Sequence, residues 1–159
     1  MLLKQTLVEG VRGGDGCALL AMAERKTRKY IMRLLPGKGS QAAKDGVAAV
    51  FAEYGAAAFK TLTFDSGSEF AEMAGLCSGI GAAAYFTHPN SSWEKGTVER
   101  RNGLARLAAP KGARLGALPF GAIEAAERAI NALPRRILGY KSPEALFEAE
   151  LDRLYGAPV

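Results

Sequence analysis

The sequence has few of the residues that form disulfides or bind soft metals. Its 159 residues include two cysteines, one histidine and one tryptophan. Cys17 and Cys77 lie far apart, and neither belongs to a CxxC pair, so we expect two buried thiols rather than a zinc site or a disulfide framework.

Long apolar runs are also missing. No apolar run approaches the ~18 residues that a membrane-spanning helix requires, and the first residues do not have the pattern of a signal peptide. Hydrophobic residues make up 48% and charged residues 23% of the chain, which excludes a disordered protein. We expect a cytoplasmic protein consisting of one domain over residues 1–159.

The net charge of +5 is concentrated in one block of the chain. Residues 94–141 contain 10 basic and 4 acidic residues, a balance of +6, whereas residues 142–159 carry −3. A basic stripe of this kind suits a polyanion, because each neutralised phosphate releases counterions. A solvated helix face would have the same composition. A second basic run, at 25–29, lies between two apolar segments and is typical of a hairpin turn.

Apolar periodicity predicts a mixed α/β sheet with helices on its faces. The predicted strands lie at 6–8, 17–23, 30–35, 60–64 and 82–86. The predicted helices lie at 41–54, 94–107, 119–132 and 143–154. Ser40 is predicted to cap the first of these helices, and Ser142 the last, with Pro143 at its first position.

Two acidic residues occupy positions typical of a metal site. Asp65 follows a predicted strand, and Glu99 lies 34 residues later on a basic helix. Carboxylates that converge over a sheet bind hard divalent cations such as Mg²⁺, and pairs of such ions promote phosphoryl transfer. Isolated carboxylates are common, so this spacing alone does not establish a metal site.

Three segments around these carboxylates carry a family resemblance. They are TFDSGSEF at 63–70, YFTHP at 85–89 and SWEKGTVERRNG at 92–103. Together with PKG at 110–112, Asn131, PRR at 134–136, LGYKSP at 138–143 and ERKTR at 24–28, they resemble bacterial transposases of the insertion-sequence-thirty family. The resemblance covers residues 5–150 and implies a bacterial, ribonuclease-H-like catalytic core similar to retroviral integrases. Such a core has five strands, the first three antiparallel, with flanking helices.

The resemblance assigns roles to matching positions. Asp65 corresponds to the second acidic metal ligand and Glu99 to the third, with Mg²⁺ or Mn²⁺ as the cofactor. Asn102 shares a helix face with Glu99 and positions either DNA or the metal shell, although a packing role is equally open. Glu69 is a candidate for orienting Asp65, with a salt bridge elsewhere as the alternative. The expected DNA contacts are Lys95, Arg100, Arg101, Asn102, Arg106 and Lys111.

Other family-like residues favour structural roles. His88 is expected to be a DNA contact or a structural residue rather than a metal ligand. Trp93 is expected to anchor the start of a helix, with stacking on DNA as the alternative. The Pro134, Arg135 and Arg136 segment is expected to pack and form salt bridges, with phosphate contact as the alternative.

The first acidic ligand of the family is missing. Its register falls on Gln5 or Thr6, and Glu9 lies ~10–13 Å farther along the strand. Ser66 also replaces the family's usual Asn. We also expect the helix-turn-helix region that the family carries upstream to be missing. We therefore expect a truncated or decayed transposase core that binds metal weakly and carries out little strand transfer on DNA.

Two other functions stay open at this point. One is a non-enzymatic module that binds DNA or a sister transposase, and the other is a metal-dependent nuclease on the same fold. Self-association is expected from the resemblance alone.

Overall fold

The chain folds around one five-stranded sheet with helices on both faces. The computed structural model describes residues 15–64, 67–70, 72–87, 109–110 and 113–156, together with the backbone of residues 2–9; for Glu69 it describes the backbone alone. The strands are β1 (Leu2–Glu9), β2 (Ala18–Glu24), β3 (Tyr30–Leu35), β4 (Thr61–Phe64) and β5 (Ala83–Phe86). The helices are α1 (Ser40–Tyr54), α2 (Met73–Gly79), α3 (Ala122–Ala132) and α4 (Pro143–Tyr155).

The strand order in the sheet is β3-β2-β1-β4-β5. β1 pairs antiparallel with β2, and β2 pairs antiparallel with β3, whereas β4 runs parallel to both β1 and β5. The predicted fold class, with three antiparallel strands first, is therefore confirmed. β1 lies at the centre of the sheet, between β2 and β4.

Strand alternation divides the apolar residues of β2 between two cores. Leu20 and Met22 pack with Val47 and Val50 of α1, with Phe64 of β4 and with other residues of the same face. On the other face the alternate residues of β2 form a second cluster, which contains Leu19, Ala21, Met32, Ile123 and Ile130. The sheet is thus covered by α1, α2 and α4 on one face and by α3 on the other.

One predicted cap is wrong by a single residue. Ser40 is the first residue of α1, and Gly39 occupies the N-cap position without a side-chain hydrogen bond. The cap of α4 is confirmed: Ser142 Oγ accepts from the backbone N–H of Ala145 at 3.3 Å, and Pro143 follows at the first helical position. Of the two cysteines, Cys77 is buried, but Cys17 is only half-buried.

Candidate active site

The centre of the sheet brings β1 beside the end of β4. In the parallel pairing, Leu3 lies opposite Leu62 and Lys4 lies opposite Thr63. The next positions of β1, Gln5 and Thr6, are therefore level with the end of β4 at Phe64, directly before Asp65 in the sequence. Neither of these two positions supplies a carboxylate.

The predicted catalytic and DNA-contacting side chains lie outside the described residues. This holds for Asp65, Glu99 and the candidate DNA contacts at Lys95, Arg100, Arg101, Asn102, Arg106 and Lys111, and also for His88 and Trp93. The backbone of Glu69 lies in a short 3-10 helix, Ser68–Phe70. Among the described residues, no group of three or more His, Cys, Asp or Glu side chains is placed to bind a metal ion.

A buried carboxylate organises the turn between β2 and β3. Glu24 is fully buried, and its carboxylate accepts hydrogen bonds from the backbone N–H groups of Lys26 at 2.9 Å and Thr27 at 2.5 Å. The Thr27 hydroxyl also donates to it at 2.6 Å. These contacts fix the conformation of the predicted hairpin turn, including Arg28, which takes a positive φ of 64°.

Helix α3 supplies hydrogen-bond partners to the outer edge of β3. Asn131 is fully buried; its Oδ1 accepts from the N–H of Tyr30 at 2.8 Å, and its Nδ2 donates to the carbonyl of Tyr30 at 2.7 Å. One turn earlier on the helix, Glu127 Oε2 accepts from the N–H of Met32 at 2.6 Å. The carbonyl of Met32 in turn accepts from Arg33 Nη1 at 2.6 Å. Side chains thus satisfy the outward-facing backbone groups of Tyr30 and Met32, which no strand in the described part of the chain pairs on that side.

Sequence reasoning did not predict this role. Asn131 was recognised only as part of the family pattern, and Glu127 was not singled out. The available signal was a pair of polar residues four apart on the apolar side of an amphipathic helix.

Glu127 also belongs to an ion-pair network over β3. Arg33 Nη1 lies 2.9 Å from Glu127 Oε2, and its other terminal nitrogen binds Glu53 of α1. Burial raises the pKa of the Glu127 carboxyl above its ordinary value, and the Met32 N–H, Arg33 and Lys29 oppose that rise. The pKa of Tyr54, beside this network, is also raised, chiefly by burial and then by its hydrogen bond to Glu53.

No helix in the described part of the chain is long and apolar enough to cross a membrane.

Comparison with known proteins gives sequence relatives over most of the chain. The protein is 35% identical over 144 residues to a probable transposase for the insertion-like sequence element IS1161 of Streptococcus salivarius. The matched segment covers 89% of this chain and 40% of that protein. It is 32% identical over 137 residues to the transposase for IS1086 of Cupriavidus metallidurans, and 30% identical over 138 residues to the transposase InsI for IS30C of Escherichia coli. These cover 86% and 87% of this chain, and 40% and 36% of those proteins. The chain thus spans about 40% of the length of such relatives. No family model matches it.

Solved structures share the fold at lower sequence identity. The catalytic core domain of BIV integrase superposes with a TM-score of 0.69 at 19% identity, over 96% of this chain and 97% of that domain. A chain from the structure of the simian T-cell lymphotropic virus intasome in complex with PP2A regulatory subunit B56 gamma superposes with a TM-score of 0.74 at 18% identity, over 92% of this chain and 53% of that one. These values confirm the ribonuclease-H-like fold predicted from the motifs. The chain is therefore related to the transposases of IS30-type insertion sequences, and its fold is that of a retroviral integrase catalytic core.

Proposed function

We propose that residues 1–159 form the catalytic-core domain of a DDE-type transposase, which acts on DNA by nicking and strand transfer. The observation that carries the proposal is 30–35% identity to named transposases over 86–89% of the chain. The integrase-like fold supports it independently. The +6 block at 94–141 supports DNA as the substrate class, because a polyanion requires a concentrated basic surface.

A divalent metal is the cofactor that this function requires, and Mg²⁺ or Mn²⁺ fits a site made of carboxylates. Asp65 and Glu99 are the proposed ligands, with Glu69 as a candidate for orienting Asp65. The residues present do not complete the set of three carboxylate ligands, because β1 has no carboxylate level with the end of β4. Glu9 pairs with Ala18 at the far end of β1, three residues or ~10 Å beyond Thr6.

For the missing ligand position we choose Thr6 rather than Gln5, and the pairing of β1 with its neighbours supports this choice. Gln5 pairs with Met22, whose face of the sheet packs on α1, and Phe64 belongs to the same core. From strand alternation alone, we expect the residue that follows Phe64 to face the opposite side of the sheet. Thr6 pairs with Ala21 on that opposite face, which α3 covers.

A chain with two of three carboxylate ligands is expected to bind Mg²⁺ weakly and to join DNA poorly. The same missing carboxylate favours a second candidate function, in which the domain binds DNA, or a sister transposase, without chemistry. DNA is the proposed partner in both cases, self-association is proposed by analogy to the intasome relative, and the bacterial cytoplasm is the proposed location.

Restoring the missing carboxylate tests the proposal. The Thr6→Asp variant is expected to gain Mn²⁺ binding by titration calorimetry and metal-dependent nicking or joining of duplexes carrying element ends. Gln5→Asp is the matched control, since it introduces the same group at the neighbouring position of β1. Asp65→Ala or Glu99→Gln in the Thr6→Asp background should abolish the gain and leave DNA binding intact.

Three results would change the proposal. Robust joining by the unmodified chain that Asp65→Ala abolishes would show that the missing ligand is dispensable. Equal gains in Thr6→Asp and Gln5→Asp would contradict the register assignment. Nicking without joined products in every active variant would favour a nuclease on this fold.

A further inference from the structure

Two basic loops lie together at one end of the sheet. Both are separate in sequence from the predicted DNA contacts, which lie between residues 95 and 111. The first is the β2–β3 turn, with Arg25 and Arg28; the second is the segment between α3 and α4, residues 133–142, with Arg135, Arg136 and Lys141. Arg25, Arg136 and Lys141 are exposed, and the other two arginines are half-buried. We call these five cations the two-loop basic surface.

Hydrogen bonds anchor the second loop to the first at both of its ends. Before the loop, Asn131 binds both backbone groups of Tyr30. After the loop, Glu144 in the first turn of α4 accepts from Lys29 Nζ at 2.6 Å. Lys29 and Tyr30 directly follow Arg28, so the loop at 133–142 is held against the β2–β3 turn.

The second loop also has a fixed backbone of its own. The N–H of Arg135 donates to the carbonyl of Lys141 at 3.1 Å, and the N–H of Tyr140 donates to the carbonyl of Arg135 at 3.0 Å. Gly139 and Tyr140 both take positive φ, 61° and 63°, which closes the loop tightly. The cations of both loops therefore project from ordered backbone, which lowers the entropy cost of binding a ligand.

These cations have no carboxylate partner among the described residues, unlike their neighbours. Lys26 pairs with Glu150 at 2.7 Å and Lys29 pairs with Glu144, whereas none of the five cations of the two-loop basic surface forms an ion pair in the described part of the chain. Burial and the positive charge of Arg28 both lower the pKa of Arg135. The expected salt bridges of Arg135 and Arg136 are thus not found among the described residues.

We propose that the two-loop basic surface binds the phosphodiester backbone of duplex DNA, as a second contact beyond the 94–111 segment. Arginines on two loops that are hydrogen-bonded together, with no ion-pair partner among the described residues, suit phosphate oxygens, which accept from their planar guanidinium groups. The proposal rests on the proposed function, since it assigns a further contact to the same DNA. Such contacts position DNA without reading its sequence.

The test measures DNA affinity against salt by fluorescence anisotropy, with a labelled 30-base-pair duplex of arbitrary sequence. The Arg28→Gln/Arg135→Gln variant is expected to bind roughly 10- to 100-fold more weakly at 0.1 M salt and to lower the salt slope by about 2, since each phosphate contact contributes about 0.9. Lys44→Gln/Arg153→Gln is the matched control. It also removes two positive charges, but from residues that pair with Glu72 and Glu150, and it should leave the slope unchanged within about 0.5.

A third variant, Arg100→Gln/Arg101→Gln, separates this inference from the proposed function. If it weakens binding and Arg28→Gln/Arg135→Gln does not, the two-loop basic surface is not a DNA contact although the transposase proposal stands. If the reverse holds, the surface binds DNA and the proposed contact at 94–111 is wrong. If the charge-matched control loses as much DNA affinity and salt slope, the effect is due to net charge alone and the inference is overturned.

A protein partner is the competing occupant, because Ile137 and Tyr140 project from the second loop with 71% and 72% of their surface exposed. Sedimentation velocity without DNA addresses it. Self-association that Arg28→Gln/Arg135→Gln abolishes, with DNA affinity unchanged, would show that the surface binds a second copy of the chain instead. Circular dichroism and urea midpoints equal to the unmodified chain would establish that these variants fold.

Discussion

Replacing Asn131 by alanine is expected to cost about 2–5 kcal/mol of unfolding free energy. The change removes two hydrogen bonds, at 2.8 and 2.7 Å, to the backbone N–H and carbonyl of Tyr30. Asn131 is fully buried and Tyr30 is 3% exposed, so water cannot readily replace the amide. Each buried backbone group that loses its partner costs about 1–3 kcal/mol, and the better helix propensity of alanine returns only about 0.7 kcal/mol or less.

Urea denaturation followed by circular dichroism measures this loss. With a slope of about 2 kcal/mol per M, the midpoint should fall by about 1–2.5 M. Asn131→Asp should also destabilise the protein, because it keeps the acceptor for the Tyr30 N–H but sets an oxygen against the Tyr30 carbonyl. Arg128→Ala, on the exposed side of the same helix, is the control and should change stability by about 0.5 kcal/mol or less.

A loss below about 1 kcal/mol in Asn131→Ala would refute the reasoning. It would mean that the backbone groups of Tyr30 find other partners at little cost. A similar loss in Arg128→Ala would attribute the effect to the helix as a whole rather than to the amide.

Three further predictions concern single side chains. Burial raises the pKa of Glu127 above its ordinary 4.5. The stability that its protonation contributes is therefore fully present below about pH 4.5 and is lost as the pH rises through the higher pKa of the folded state. The unfolding free energy of the protein, measured relative to that of Glu127→Gln, should decrease from pH 4 to 7, and a constant difference would contradict this. Gly55→Ala should cost about 1–3 kcal/mol in the same urea assay, since Gly55 has φ +80° and a Cβ there would meet the Tyr155 ring and hydroxyl; an unchanged midpoint would contradict it. Burial raises the pKa of Cys77 to about 11, so at pH 8 a disulfide reagent should modify Cys77 only as fast as the protein opens, as measured in a Cys17→Ser background; immediate modification would show that the thiol is accessible.

Local sequence patterns predicted most of the fold. The alternation and the charged turn at 25–29 predicted the β2–β3 hairpin, and the spacing of Val47, Val50 and Phe51 predicted the buried face of α1. These patterns involve only residues that are close in the sequence, so they can be recognised without knowledge of tertiary contacts. The family resemblance added the antiparallel arrangement of the first three strands, which periodicity alone cannot determine; the strand order came from the structure.

The roles that sequence reasoning did not predict depend on residues far apart in the chain. Asn131 and Tyr30 are 101 residues apart, and nothing in either local segment indicates that one binds the backbone of the other. The same applies to Lys29 and Glu144, which hold the two basic loops together across 115 residues. Arg135 and Arg136 were assigned to salt bridges because an isolated Pro-Arg-Arg sequence does not show that Arg28 lies beside it. The catalytic assignment at Asp65 and Glu99 stays a prediction.

Side chains of α3 bind backbone groups at the outer edge of β3, and this has a consequence for aggregation. An edge strand with free N–H and carbonyl groups can recruit the edge of another molecule and extend the sheet between chains. Here a second chain would first have to displace Asn131 and Glu127 from Tyr30 and Met32. Because both blocking side chains belong to α3, that protection depends on the docking of one helix of 11 residues. A partly unfolded molecule in which α3 has detached would therefore expose unpaired backbone groups of β3, and we expect it to associate with other molecules more readily than the native protein.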